Sequence, residues 1–302
     1  MKKFLVNVSI TLLLVSLASI AVAKGKAADS QDNNAAHPIF EVINNALIAE
    51  GQDNLQLATV EWITEGDEAG QTIFFNNRGN KQLSSHWVPD DPRNGNGTLM
   101  PWAIDAVDLT GDVAAASQWA SITSAMQTWQ DQNCSDIPLL DLGLVPFDYG
   151  YVQYLLGFGG SNGILPFLTH AGFLPGAFFD ALAPGGSGSI LGVTFTFNWT
   201  SPADLDNNGK ADTAIREIYY NDAFTWGDGT GGTIDLESVV LHEAGHGLSQ
   251  GHFGKAFRTG SNGRLHFAPH AVMNAGYTGQ QRTLLGTDNG GHCSIWGSWP
   301  NN

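Results

Sequence analysis

Basic residues are scarce in this 302-residue chain: Lys and Arg total 13 against 29 Asp and Glu, for a net charge of −16. A surface so acidic repels polyanions, which argues against nucleic acid and anionic membranes as partners. Charge of either sign is also sparse, at 14% of residues, so the chain is not a disordered polyanion. Past the first two dozen residues no run is apolar for long enough to span a bilayer. Cysteine is nearly absent: Cys134 and Cys293 are the only two. No internal repeat is found, which leaves one large domain, or one domain with a short leader, as the expected organisation.

The amino terminus reads MKKFLVNVSITLLLVSLASIAVAKGKA. Lys2 and Lys3 precede a mostly apolar stretch, Phe4 to Ile20, and Ala21-Val22-Ala23 gives the small-x-small pattern of a signal-peptidase site. The pattern predicts a signal peptide over 1–23 and export to the extracellular space or a periplasm; a membrane anchor would need a longer span. About 280 residues then remain, enough to bury a core without help from disulfides. In an exported protein an even pair of cysteines suggests one disulfide. It would close a loop of about 160 residues and add ~3–5 kcal/mol in the chain-entropy model. A free thiol that blocks a metal is the alternative.

Residues 24–70 are polar and small except for the helical patch Phe40 to Ile48, and read as a leader or propeptide of marginal structure. The remainder, 71–302, reads as one catalytic-sized domain. Strands are expected at Gly70 to Asn76, from His86, at Val193 to Trp199 with Val193, Phe195, Phe197 and Trp199 on one face, and at Arg216 to Asn221. A helix is expected over Asp112 to Gln130, where Val113, Ala116, Trp119, Ile122, Met126 and Trp129 recur three and four apart. Gly157 to Gly192 is rich in Gly, Pro and aromatics and reads as loop with short strands beside a cleft.

Three of the nine histidines fall within His242 to His252, in HEAGHGLSQGH. Asp235 is placed to cap a helix there, and Glu237 adds negative charge in its first turn. His242 and His246, four apart, share one helix face and can hold one Zn²⁺ at ~2.0–2.1 Å. Glu243 can reach a metal-bound water. His252 supplies the third ligand a catalytic zinc needs, leaving one position open. A continuous helix would carry His252 about 9 Å further along the axis, so the chain must turn back, and Gly247, Ser249 and Gly251 stand where it would do so.

HEAGHGLSQGH resembles the HExxHxxGxxH element of the metzincin metalloproteases, and DLESVVLHEAGH is most similar to their matrixin branch. HAVMNAGY is similar to the Met-turn that lies below the zinc, with Met273 as its hydrophobic floor and Tyr277 in the substrate-pocket wall. TDNGGHCSIWG resembles the matrixin C-terminal helix, with Asp288 where an aspartate braces the Met-turn. LTHAGFLPG, around His170, is similar to the cleft-edge strand and its following loop. The resemblance runs from about Thr72 to Trp296 and is dense from Arg216 onward. It implies an α+β fold with a twisted mixed sheet, the zinc helix under a cleft, and a secreted, monomeric zinc endopeptidase acting on protein or peptide. By the same resemblance Glu243 is the general base for a zinc-bound water, and Tyr277 steadies the oxyanion or shapes the pocket.

The chain departs from that pattern in three places. Ser249 replaces the turn glycine, at a position whose positive φ costs a non-glycine residue about 1–2 kcal/mol; Ser249→Gly is therefore expected to raise the melting temperature. The gap from His252 to Met273 is long and predicts an extra loop by the cleft. No cysteine precedes Cys134, so the family's cysteine switch is missing. Two rival readings follow from the same residues: an exported module that holds zinc without turnover, against which Glu243 speaks, and a protease acting only on its own leader.

A second metal pattern lies in DLDNNGKAD. Asp204, Asp206, Asn208 and Asp212 offer oxygens at positions 1, 3, 5 and 9 with Gly209 at 6, which suits a structural Ca²⁺. Position 12 is Ile215 rather than the bidentate glutamate of an EF-hand, so other ligands are needed, Glu217 among the candidates. An ordinary Asp/Asn/Gly turn is the alternative. His170 could ligate a structural zinc, or simply be hydrogen-bonded.

Overall fold

Stretches rich in β-branched and aromatic residues become strands in this chain, and stretches with apolar residues three and four apart become helices. The computed structural model describes residues 37–75, 85–95, 97–163, 167–261 and 263–301. All described residues lie in one compact unit. The expected signal peptide, 1–23, lies outside the described residues. Among the described residues no helix is long and apolar enough to cross a membrane.

In chain order the elements are α1 (Pro38–Ala49), β1 (Leu55–Thr64), β2 (Thr72–Phe74), β3 (Ser85–His86), β4 (Met100–Asp105), α2 (Ala115–Gln130), β5 (Leu139–Val145), α3 (Tyr151–Leu156), β6 (Leu168–Leu174), α4 (Gly176–Asp180), β7 (Ile190–Trp199), β8 (Ala211–Asn221), β9 (Trp226–Gly227), β10 (Ile234–Asp235), α5 (Leu236–Gly247), β11 (Lys255–Arg258), β12 (Leu265–Ala268) and α6 (Gly286–Trp296). The fold is α+β: six helices with a mixed sheet of order β2-β1-β7-β8-β6-β4-β5, and β3 paired to β8. β5, β4, β6 and β8 run parallel, β7 turns antiparallel on β8, and β1 and β2 continue antiparallel beyond it.

Two apolar layers sandwich this sheet. One gathers Ile122, Met126 and Trp129 of α2 with Val239, Val240 and Leu241 of α5 and Trp296 of α6. The other gathers Phe40, Ile43 and Leu47 of α1 with Leu57, Val60, Phe197 and Tyr219. A sheet covered on both faces buries both sides of its central strands. This is why Thr194 and Thr196 of β7 are as buried as Phe195 and Phe197, where alternation alone puts only the apolar set inside.

The helix expected from Asp112 begins at Ala115. The Asp112 carboxylate instead accepts the Trp226 N–H at 2.9 Å. Ala116 is exposed and Gln118 is buried in its place, its amide donating to the Thr110 carbonyl at 2.9 Å. Of the strand expected at Gly70 to Asn76, Thr72–Phe74 is extended, and Asn76 lies outside the described residues. The long gap after His252 holds the hairpin β11–β12, whose first strand is exposed and whose second carries the buried Phe267.

The expectation of marginal structure over 24–70 fails from residue 38 onward. α1 covers one face of β1, and β1 pairs with β7 through nine residues, from Leu55↔Trp199 to Thr64↔Ile190. The reason is long-range: Leu57, Val60 and Trp62 are an unremarkable apolar set until β7 and α1 bury them. Cys134 and Cys293 form a disulfide that ties the residues after α2 to α6.

Candidate metal centre

α5 starts where its sequence says it should. Asp235 accepts the Ser238 N–H at 2.9 Å, an N-cap that satisfies one of the helix's orphan donors. The same carboxylate is paired with Arg282. Gly245 lets the helix sit close on its neighbours, because a Cβ there would stand 2.3 Å from Met273 Sδ and 2.8 Å from the Trp129 ring.

The helix ends in a left-handed turn. Ser249 has φ 68°, Ser249 N–H bonds the His246 carbonyl at 3.0 Å, and Gln250 N–H reaches back to the Gly245 carbonyl at 2.9 Å. That is the Schellman pattern with a serine in the place glycine usually takes. Its last carbonyls are capped by side chains from elsewhere: Trp87 Nε1 and Arg216 Nη1 donate to Gly247, and Trp296 Nε1 donates to Leu248. Arg216 Nη1 also donates to Ser249 Oγ at 2.7 Å, so the serine holds a buried guanidinium that a glycine could not.

The turn brings His252 back onto the helix face. The three Nε2 atoms of His242, His246 and His252 lie 3.1, 3.2 and 3.3 Å from one another. Ligands on a tetrahedral ion at ~2.0–2.1 Å stand about 3.3 Å apart, so the donor set fits a zinc-sized cation. Each Nδ1 is committed elsewhere: His242 to the Val272 carbonyl at 2.7 Å, His246 to the Gln250 carbonyl at 2.7 Å, and His252 to Thr72 Oγ1 at 3.2 Å. A carbonyl can only accept, which puts the proton on Nδ1 and leaves the Nε2 lone pairs of His242 and His246 facing inward. Burial lowers the pKa of all three imidazoles, that of His246 to about 3, so they stay neutral and able to ligate.

Glu243 is fully buried. Its Oε2 accepts from Thr194 Oγ1 at 2.6 Å and its Oε1 from the Ile63 N–H at 3.3 Å. Burial raises its pKa well above the usual carboxylate range, against the opposing Thr194 bond. Gly192 leaves room for it, since a Cβ there would stand 2.9 Å from Glu243 Cγ.

Two outer partners escape the sequence reading. Thr72 Oγ1 donates to Glu61 Oε1 at 3.1 Å, and Glu61 Oε2 stands 3.4 Å from His246 Nδ1. Thr72 and Glu61 thus form a hydroxyl–carboxylate chain behind His252 and beside His246. Burial raises the Glu61 pKa to about 7, with the Arg216 charge and the Thr72 bond acting against it. One signal was available: Glu61 is the only charged residue in the strand LQLATVEWIT.

Below the histidines, Asp288 accepts from Val272 N at 3.0 Å, Met273 N at 3.1 Å and Leu285 N at 2.9 Å. It thereby holds the turn whose Val272 carbonyl orients His242. Met273 is buried against the helix. Tyr277 stands apart from the expected oxyanion role: its hydroxyl accepts from the Asp235 N–H at 2.9 Å, at the start of α5, and seven residues at 1.5 Å each put that about 10 Å along the axis from His242. Its ring is a pocket wall.

The acidic loop is partly as expected. Asp204, Asp206 and Asp212 bring carboxylate oxygens within 4.8 Å of one another and could hold a cation. Asn208 does not join them: its Nδ2 donates to Asp206 at 2.9 Å and its Oδ1 accepts from Lys210 N at 2.8 Å. Arg93 is ion-paired to Asp212 and Asp91 and already supplies positive charge. Glu217 is elsewhere, accepting the Tyr151 and Val152 N–H groups at 2.8 Å at the start of α3. His170 is a buried core residue, with Nδ1 2.8 Å from the Tyr220 hydroxyl.

Comparison of the chain with protein-family models and with curated proteins gives no match.

Proposed function

We propose that the protein is a zinc-dependent endopeptidase of the metzincin type, matrixin-like in its zinc helix and Met-turn. The observation that carries the reading is the convergence of three neutral Nε2 atoms, spaced as a tetrahedral ion requires, beside a buried glutamate on the same helix. His242, His246 and His252 would hold the metal. When bound, zinc would supply the Lewis acid that polarises a peptide carbonyl and makes water acidic enough to attack at neutral pH.

The chain's own residues do the rest. Glu243 would take a proton from the attacking water and hand it to the departing amine. Thr194 orients the carboxylate through its 2.6 Å bond. Asp288 and Val272 hold His242, and Thr72 with Glu61 holds His252. A structural calcium in the Asp204 loop is not part of the proposal, because Arg93 supplies the counter-charge there.

The rival reading, a module that holds zinc without turnover, is separated by metal titration of wild type and Glu243→Ala. The peptidase reading expects one zinc per chain in both and hydrolysis in the wild type alone. One zinc in both without hydrolysis in either favours the binding module.

A further inference from the structure

A cleft of about 390 Å³ opens at the end of the sheet away from Glu243. Gln52 and Asn54 reach it from the turn between α1 and β1, Arg93 from the loop after β3, Asn162 from the loop after α3, and Trp199 from the end of β7. Leu55, Phe167 and Ile215 give it a buried apolar wall. Its size lies within the ordinary range of small-molecule sites, ~300–1,000 Å³. Thr194, whose hydroxyl holds Glu243, lies on the same strand as Trp199. Five residues of strand, about 17 Å, separate the two, so the cleft is distinct from the histidine site.

The lining narrows the class of ligand. The side chains of Gln52, Asn54 and Asn162 make no hydrogen bond among the described residues. Each amide offers donors and an acceptor together, and an apolar ligand would bury them without partners. Arg93 is the one charged residue of the lining. Its guanidinium is paired with Asp91 and Asp212 and donates to the Pro202 carbonyl at 2.6 Å. Two carboxylates thus outweigh its charge, which removes the pull on an anion. The same group lies over the Trp199 ring, 5.1 Å from its centroid, and holds the indole in place. A peptide commonly binds by adding to an open strand edge. Here β1, β7 and β8 are paired with one another, Leu55↔Trp199 and Phe197↔Ile215, and offer no such edge.

We propose that this cleft binds a neutral saccharide. Sugar hydroxyls donate and accept at once, as the three amides do. The C–H faces of the ring are apolar and suit Trp199 and the wall behind it. A sugar chain held there leaves the histidines uncovered and tethers the protein to whatever bears the sugar. The inference stands on the cleft alone and does not depend on the hydrolytic reading.

The test uses the full chain. Saturation-transfer NMR is run with glucose, maltose, cellobiose and chitobiose at millimolar concentration, with glucuronate and tetra-alanine beside them, and sugars that respond are titrated by calorimetry. At least one neutral sugar should respond and bind more tightly than glucuronate. Asn54 and Asn162 are exposed, so an Asn54→Ala, Asn162→Ala double variant should keep the wild-type melting temperature. Its affinity for the sugar should fall about tenfold, and Trp199→Ala should abolish binding. Silence from every neutral sugar overturns the inference, and a response from tetra-alanine alone makes the cleft a peptide site. Sugar binding that the double variant leaves unchanged, or that glucuronate equals, overturns it as well.

Discussion

The Ser249 hydroxyl accepts a hydrogen bond from the buried Arg216 guanidinium at 2.7 Å, at a backbone position with φ 68°. Two opposing effects meet there. Glycine would relieve about 1–2 kcal/mol of left-handed strain. It would also remove a bond to a charged group, worth about 1.5–3 kcal/mol, and leave the guanidinium short of an acceptor. The second effect is the larger. Ser249→Gly is therefore expected to lower the melting temperature by a few degrees, reversing what the turn alone predicts, and Ser249→Ala to lower it further because it keeps the strain. Thermal unfolding of the three proteins decides; a Ser249→Gly protein more stable than wild type would show that strain dominates.

Asp288 holds three backbone N–H groups, and one of the residues it holds, Val272, orients His242. Asp288→Ala leaves those donors unpaired in a buried place, at about 1–3 kcal/mol for each that water cannot reach. Stability should fall by about 2–4 kcal/mol in urea unfolding, and zinc affinity by about tenfold or more, as is usual for outer partners of a metal ligand. An affinity equal to wild type would detach Asp288 from the metal centre.

The metal-free protein should lose stability between acid and neutral pH at Glu61. Burial raises this carboxyl from its ordinary value to about 7, so the folded chain holds a proton there that the unfolded chain has already released. The native state is then favoured below the unfolded pKa, and the advantage drains away as pH rises to about 7. Glu61→Gln removes that dependence. The variant's melting temperature, relative to wild type, should climb from pH 5 to pH 8; a constant difference would contradict the burial argument.

Reducing the Cys134–Cys293 disulfide opens a loop of 159 residues, which frees unfolded-chain entropy of about 5 kcal/mol. The urea midpoint should fall sharply in reductant, and a Cys134→Ser, Cys293→Ser double variant should show the same midpoint with or without reductant. An unchanged wild-type midpoint would mean that the link adds little to the unfolded-state constraint.

What the sequence disclosed and what it hid differ in range. The residues of α5 and its following turn are legible because their spacing is local: Asp235 caps, His242 and His246 stand one turn apart, and a turn must follow if His252 is to return. Cys134 and Cys293 pair as their number suggested. Hidden was everything set by partners far along the chain. β1 reads as part of a leader until β7, more than a hundred residues later, supplies its pairing. Asn208 occupies a ligand-like position in a spacing pattern, yet local hydrogen bonds with Asp206 and Lys210 claim its side chain. Tyr277 lies near the site in sequence terms, but its hydroxyl is taken by the far end of α5. Thr194, Glu61 and Thr72 gain their roles only when three strands meet beside the histidines.

The central claim is that His242, His246 and His252 place a metal where Glu243 can do acid–base work on a peptide bond. Its most direct test is a mixed peptide library incubated with the zinc-loaded protein, with Glu243→Ala beside it and products read by mass spectrometry. Cuts are expected from the wild type alone, stopped by a chelator and restored by zinc. Both proteins holding one zinc with the library untouched would contradict it.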